Sequence, residues 1–157
     1  MARTYPGQGQ DDVHATDDKS LWNLHATTAT RPSLAHILIG CSATPAESAA
    51  DFEVRRTTTK GTGGTEVTAV KALDPSEPAS VGSYTPAAFS VEPTYTVGNG
   101  ELLYDWPMYQ RNTVVWYANS EKFEFKCPAT ASNGIGLRSI ESNAGTAIHR
   151  SSFLWRE

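Results

Sequence analysis

The chain has only two cysteines, Cys41 and Cys127, among 157 residues, and no CxxC spacing. That excludes a disulfide-built scaffold and the paired-thiolate zinc motifs. Two readings remain for them: buried free thiols, which pack as small apolar groups, or one Cys41–Cys127 bridge if their strands adjoin. Long apolar runs are missing as well. The best, LAHILIGC from Leu34 to Cys41, falls far short of the ~20 residues a membrane-spanning helix needs. The opening residues, MARTYPGQGQDD, have no hydrophobic core, so neither a secretory signal nor a lipid anchor is expected there. Basic charge is in deficit too. Thirteen Lys and Arg against seventeen Asp and Glu leave a net charge of −4, which lacks the footprint of a nucleic-acid binder. The expectation is therefore no direct nucleic-acid partner and no membrane.

Catalytic signatures are equally scarce. A serine triad on a nucleophile elbow would need G-x-S-x-G, which does not occur. Lys60-Gly61-Thr62-Gly63-Gly64-Thr65 is glycine-rich but lacks the phosphate-loop pattern and any following helix, so it reads as a turn. His14, His25 and His36 recur at eleven-residue intervals, with no Cys or carboxylate at ligand spacing beside them, and His149 stands alone near the end. No metal or cofactor is expected on that basis. Cys41 and Cys127 sit at the ends of apolar segments, not in the electropositive, accessible setting a reactive thiol needs. Carboxylates are the remaining enzymatic case: Glu92, Glu101, Asp105, Glu121 and Glu124 would have to meet across a sheet, as in a glycoside hydrolase. Nothing fixes a pair at the required separation, so a solvated strand face is the preferred reading, and the chain reads as non-enzymatic.

What the sequence does contain is strand and turn chemistry. Leu21 to Ala26 reads as a short edge strand, Thr27 to Pro32 as a linker, and Ser33 to Cys41 as a buried strand. Thr44-Pro45-Ala46-Glu47 matches a capping box with proline at the first helical position, predicting one helical turn over Pro45–Ala50. Asp51 to Thr59 alternates as a half-buried strand, and Glu66 to Ala72 is expected to return against it as a hairpin through the glycine turn. Leu73 to Pro86 reads as an exposed loop, followed by short strands at Ala87–Val91, Thr94–Val97 and Glu101–Trp106 around a Gly98-Asn99-Gly100 turn. Arg111–Ala118 and Lys122–Cys127 suggest a hairpin with Val114, Trp116, Phe123 and Phe125 inward and Glu124 and Lys126 outward. In KCPATASNGIGLRSI, Pro128 ends one strand and Asn133-Gly134 supplies a left-handed turn into Ile135–Ile140. Thr146–Trp155 closes the fold. The expected class is all-β, an antiparallel jelly-roll-like sandwich over residues 20–157. Residues 1–19, rich in Gly, Gln and Asp, are expected to form an extended arm, either free or docked on a neighbouring subunit.

Three segments carry a family resemblance: IGCSATPAES around Cys41, EPTYTVGNGELL around Thr94, and PATASNGIGLRS before Ser139. They resemble small virion proteins of tailed bacteriophages, the class that decorates or cements the capsid, and the likeness runs from about Leu34 to the end of the chain. The resemblance implies a homotrimer on the capsid exterior, bridging subunits of the major capsid protein after assembly in the host cytoplasm. For the contact surface, Trp22, Tyr84, Tyr104, Trp106, Tyr109 and Arg111 are candidates, since aromatics beside arginine are enriched at interface hot spots; an aromatic core corner is the competing reading. The alternative role is a tail- or fibre-associated or carbohydrate-binding sandwich, with a glycan-acting hydrolase behind it.

Overall fold

A computed structural model describes residues 2–12, 18–45, 47–98, 101–140 and 147–157, with the main chain alone at 11 and 12. His14, the centre of the capping box at Ala46, and most of the Gly98-Asn99-Gly100 turn lie outside the described residues, as does the start of the last expected strand at Thr146. Among the described residues the strands are β1 (Thr4–Asp12), β2 (Lys19–His25), β3 (Ser33–Ala43), β4 (Ala49–Thr59), β5 (Ser83–Pro86), β6 (Thr94–Tyr95), β7 (Leu102–Tyr109), β8 (Thr113–Tyr117), β9 (Phe125–Lys126), β10 (Gly134–Ile140) and β11 (Ile148–Arg156). They form two antiparallel sheets packed as a sandwich. The first runs β1-β11-β3-β8, with β9 continuing along the same edge of β3. The second runs β5-β2-β10-β4-β6, with β7 also on β4.

The core lies between the sheets and is aromatic. Trp22 of β2 stacks on Phe153 of β11 with ring centroids 4.2 Å apart, and Tyr84 of β5 meets Phe153 and Trp155 edge-on. Alternation explains which residues arrive there: along β11, His149, Ser151, Phe153 and Trp155 are buried while the residues between them are exposed or half-exposed. The strand reading of Ser33–Cys41 holds, because β3 is the buried strand between β11 and β8.

Residues 4–12 of the expected arm form a strand of the sandwich. Residues 4 to 12 pair with β11 along their whole length, from Thr4 opposite Arg156 to Asp12 opposite Ile148. Tyr5 is fully buried against Trp155. Gly7 and Gly9, which made the segment look too polar to fold, are small for a packing reason. A Cβ at Gly7 would run into the Phe153 ring, and one at Gly9 into the Leu21 carbonyl. Pro6 is tolerated because β1 lies at the sheet edge.

Other corrections come from long-range pairing. Leu21–Ala26 belongs to no edge: β2 lies between β5 and β10 and is buried on both faces. No helical turn is seen at the described residues of Pro45–Ala50: Ala49 and Ala50 open β4 opposite Tyr109 and Met108, and one turn of helix is marginal on its own against a strand with a partner. The only helical element among the described residues is a 3₁₀ turn, Glu121–Phe123. Glu66–Ala72 forms no hairpin with β4. Val67 bridges Tyr84, and the Leu73 N–H donates to the Thr4 carbonyl, so this segment closes the side of the sandwich between β5 and β1. Ser83–Pro86, expected in a loop, is β5, whereas of Ala87–Val91 only Val91 makes a bridge, to Thr62.

The Arg111–Ala118 and Lys122–Cys127 segments do not pair with each other; β8 and β9 line up one after the other on β3. Phe123 is exposed and Glu124 buried, the reverse of the expected facing. Glu124 accepts from Ser33 Oγ at 2.6 Å and from Arg156 at 2.6 Å. The strand-turn-strand of KCPATASNGIGLRSI is real, but it crosses from one sheet to the other. Ser132 takes the left-handed backbone (φ 68°), and Gly134 is required because a Cβ there would meet the Leu24 carbonyl.

Candidate functional site

Three of the six aromatic and basic candidates are structural. Trp22 is wholly buried and donates from Nε1 to Ser151 Oγ at 3.0 Å. Tyr84 and Trp106 are also in the core. Tyr104 remains 43% exposed and Tyr109 41% exposed, while Arg111 pairs on the surface with Glu47 at 3.3 Å. Tyr104 leans on Trp106, and beyond it Trp116 stacks on Phe125 at 4.4 Å and 12°. This row lies at the mouth of the sandwich between β7 and β8, with Tyr104 tilted against Trp106 and Trp116 and left part-exposed.

The carboxylates named as an enzymatic possibility are dispersed. Glu92 accepts the Ser20 N–H at 3.1 Å, Glu101 accepts from Thr96 Oγ1 at 3.2 Å, and Glu121 and Glu124 both face Arg156. Asp105 lies opposite Glu53 across the β7–β4 ladder. The carboxylate that stands out was not among them. Glu53, nearly inaccessible, accepts from Arg55 Nε and Nη2 at 2.9 Å and from Arg138 Nε, and Arg138 also reaches Asp18 at 2.6 Å. Burial works against its charge, and the two guanidiniums outweigh it, holding the carboxyl below its usual range. Alternation alone gives a residue between Phe52 and Val54 as outward and wet; Arg138, opposite it on β10 and lying over the Tyr95 ring, helps to cover it.

A second polar cluster superficially resembles a catalytic dyad. His25 Nε2 lies 3.0 Å from Thr85 Oγ1, and Ser83 Oγ donates to Glu66, which also holds Lys60. Burial drives His25 down to about 4, against a smaller opposing pull from Glu66, so it is neutral near pH 7. Thr85 is buried, with Gly64 close over its methyl group. The arrangement locks β2 to β5 and leaves no room for a substrate.

The opposite face of the molecule is open. On the outer side of the first sheet, the register sets Pro6, Leu154, His36 and Tyr117 in one cross-strand row and Gln8, Ser152, Leu38 and Val115 in the next. Leu38 is 36%, Val115 53% and Tyr117 68% exposed. A hollow of about 530 Å³ is lined by Pro6, His36, Leu38 and Leu154 of this face together with Tyr84 and Phe153 of the core. β8, whose free edge pairs with no described strand, borders this face. Only the register assembles Val115 and Tyr117 of β8 with Leu38 and Leu154 into one patch. No family model, no curated protein and no solved structure matches this chain.

Proposed function

We propose that the protein is a structural virion component that decorates a tailed-phage capsid, laying the outer face of its first sheet against coat subunits. The observation that carries this reading is the neutral apolar patch of Leu38, Val115, Tyr117 and Leu154 beside the unpaired edge of β8. Contiguous exposed apolar surface of this kind marks interaction sites, and a free edge strand invites another chain. Strand order adds support. Taken in chain order, β1, β2, β3, β4, β7, β8, β10 and β11 distribute between the sheets as β1-β11-β3-β8 and β2-β10-β4-β7, the arrangement of a rolled ribbon of two Greek keys. We read this as a jelly roll, an architecture found in viral capsid and lectin domains, although fold by itself does not assign function.

A decoration protein of this kind would act as a homotrimer, each copy adding modest contacts that multiply through effective concentration. The test is binding to heads of the phage that encodes it, prepared without the protein. Wild-type protein should co-sediment with the heads, and the double variant Leu38→Glu, Val115→Lys should stay in solution with its melting temperature unchanged. Equal binding of both would refute the proposed face, and a clean monomer by light scattering, unbound to heads, would refute the role.

The half-exposed Tyr104 and Trp116 rings favour a second reading, a glycan-binding sandwich. Quenching of tryptophan fluorescence by oligosaccharide, lost in Tyr104→Ala, would support it over decoration.

A further inference from the structure

Each sheet ends in two edges, and an edge bares a row of backbone N–H and C=O groups that another chain can pair with unless something blunts it. Among the described residues, three of these edges are blunted. Along β1 the Leu73 N–H donates to the Thr4 carbonyl, and Pro6, of the same parity, offers no donor there. β5 is bridged at Tyr84 by Val67. β7 carries Pro107; the Gln110 N–H donates to the Ser48 carbonyl on the β4 side, so by alternation the donor missing at 107 belongs to the free side. β6 and β9 are two residues each, too short to template a partner. β8 is different. It reads Thr-Val-Val-Trp-Tyr, with no charge, no proline and no break in its register against β3. The Ala118 N–H donates to the Ala35 carbonyl at 2.9 Å, which fixes the parity. Val114 and Trp116 bond to β3, while Thr113, Val115 and Tyr117 turn their N–H and C=O groups outward, where no strand among the described residues pairs with them. Their side chains are exposed as well.

We propose that β8 pairs antiparallel with β8 of a second copy of this chain across a twofold axis. A second copy has this one edge open among its described strands, so the contact is isologous, and an isologous pair consumes both edges and closes. Centred on Val115, the pairing overlaps the whole strand. Val115 faces its own counterpart and Thr113 faces Tyr117 as hydrogen-bonded pairs, with Val114 opposite Trp116 between them, a β-branched residue against an aromatic one. Charge selects the direction. Antiparallel pairing carries Arg111, just before β8, to the end of the partner that holds Glu121, just after it, and both side chains are more than half exposed; parallel pairing would set Arg111 against Arg111. The pairing does not rest on the docking role and leaves the outer face free, since it joins two first sheets edge to edge and sets two such faces side by side. It adds a twofold contact to any threefold one, so the assembly in solution is a dimer or, with the threefold contact, a hexamer.

Light scattering across a dilution series reads the stoichiometry. Wild-type protein should give an even copy number that halves on dilution, and Val115→Pro should carry the halved number throughout. Proline at this position removes an outward N–H, leaves the bonds to β3 in place and keeps an apolar group on the docking face, so the variant should still sediment with phage heads. A monomer or plain trimer from wild-type protein at every concentration, open-ended aggregates, or an even number kept by Val115→Pro overturns the pairing and leaves the docking role standing. An even-numbered wild-type protein that ignores the heads upholds the pairing and counts against the docking role alone. If Val115→Pro does not fold, amide hydrogen exchange of the wild-type protein decides. The Val115 and Tyr117 amides should exchange slowly in concentrated protein and roughly tenfold faster or more on dilution. Fast exchange of both at every concentration, or protection that appears only when heads are added, overturns the proposal.

Discussion

Replacing Tyr5 by alanine tests whether the first twelve residues belong to the fold. The Tyr5 ring is wholly buried, 5.6 Å from the Trp155 ring, and its hydroxyl donates to the Pro78 carbonyl over 3.3 Å. Truncating a buried aromatic to alanine costs about 3–5 kcal/mol through lost burial and the cavity left behind. In a chain of 157 residues, each kcal/mol moves the melting temperature by about 2–4 °C, so the fall should be on the order of 10 °C. Tyr5→Phe separates the terms, since it removes only a long hydrogen bond and should cost less than about 1 kcal/mol. Deleting residues 1–12 should be worse than either, because it strips β11 of its outer partner and bares Phe153 and Trp155. Thermal melts followed by circular dichroism measure all three. A shift under about 3 °C for Tyr5→Ala, or for the deletion, would show that β1 contributes little and would refute the reasoning from Gly7 and Gly9.

His25, held at about 4 by burial against an ordinary 6.5, is neutral in the fold but protonated in the unfolded chain between those values. Stability should therefore be whole above pH 6.5 and fall by about 3 kcal/mol on acidification to pH 4, read as urea midpoints, with His25→Gln flattening the slope. His149 adds in the same direction, whereas the depressed carboxylates Glu53 and Glu66 withdraw their contribution only as pH falls below their ordinary range near 4.5. Glu53→Gln should cost roughly 3 kcal/mol, the low end for breaking a buried ion pair, because Arg138 keeps Asp18 and Arg55 keeps the Thr96 carbonyl; an unchanged urea midpoint would count against the network. Burial pushes the Cys127 thiol up to about 12, so a thiol reagent should titrate one cysteine, Cys41, in native protein and both after denaturation; two reactive thiols in the native state would contradict the packing.

Local chemistry was readable where a strand obeys its own alternation and sits between neighbours that share its pattern. Apolar density in Leu34, Ile37, Leu38 and Ile39 marked β3, and Pro128 marked the end of β9. Failures fell where a distant partner decided. Gly7 and Gly9 look alike as disorder or as clearance for Phe153 and Leu21. Ala49 and Ala50, expected in a helical turn, joined β4 because Tyr109 and Met108 of β7 pair with them, and Glu124 turned inward because Ser33 and Arg156 were there to satisfy it.

The functional surfaces divide the same way. Turn and strand chemistry by itself determined an all-β chain, because turn residues and β-branched side chains act within a few residues of where they stand. Tertiary structure alone decided which exposed residues form one patch and which buried groups meet. Register is set by pairing across the whole chain, and that pairing puts Leu38 beside Val115 and Cys41 opposite His149, relations that have no expression in sequence spacing.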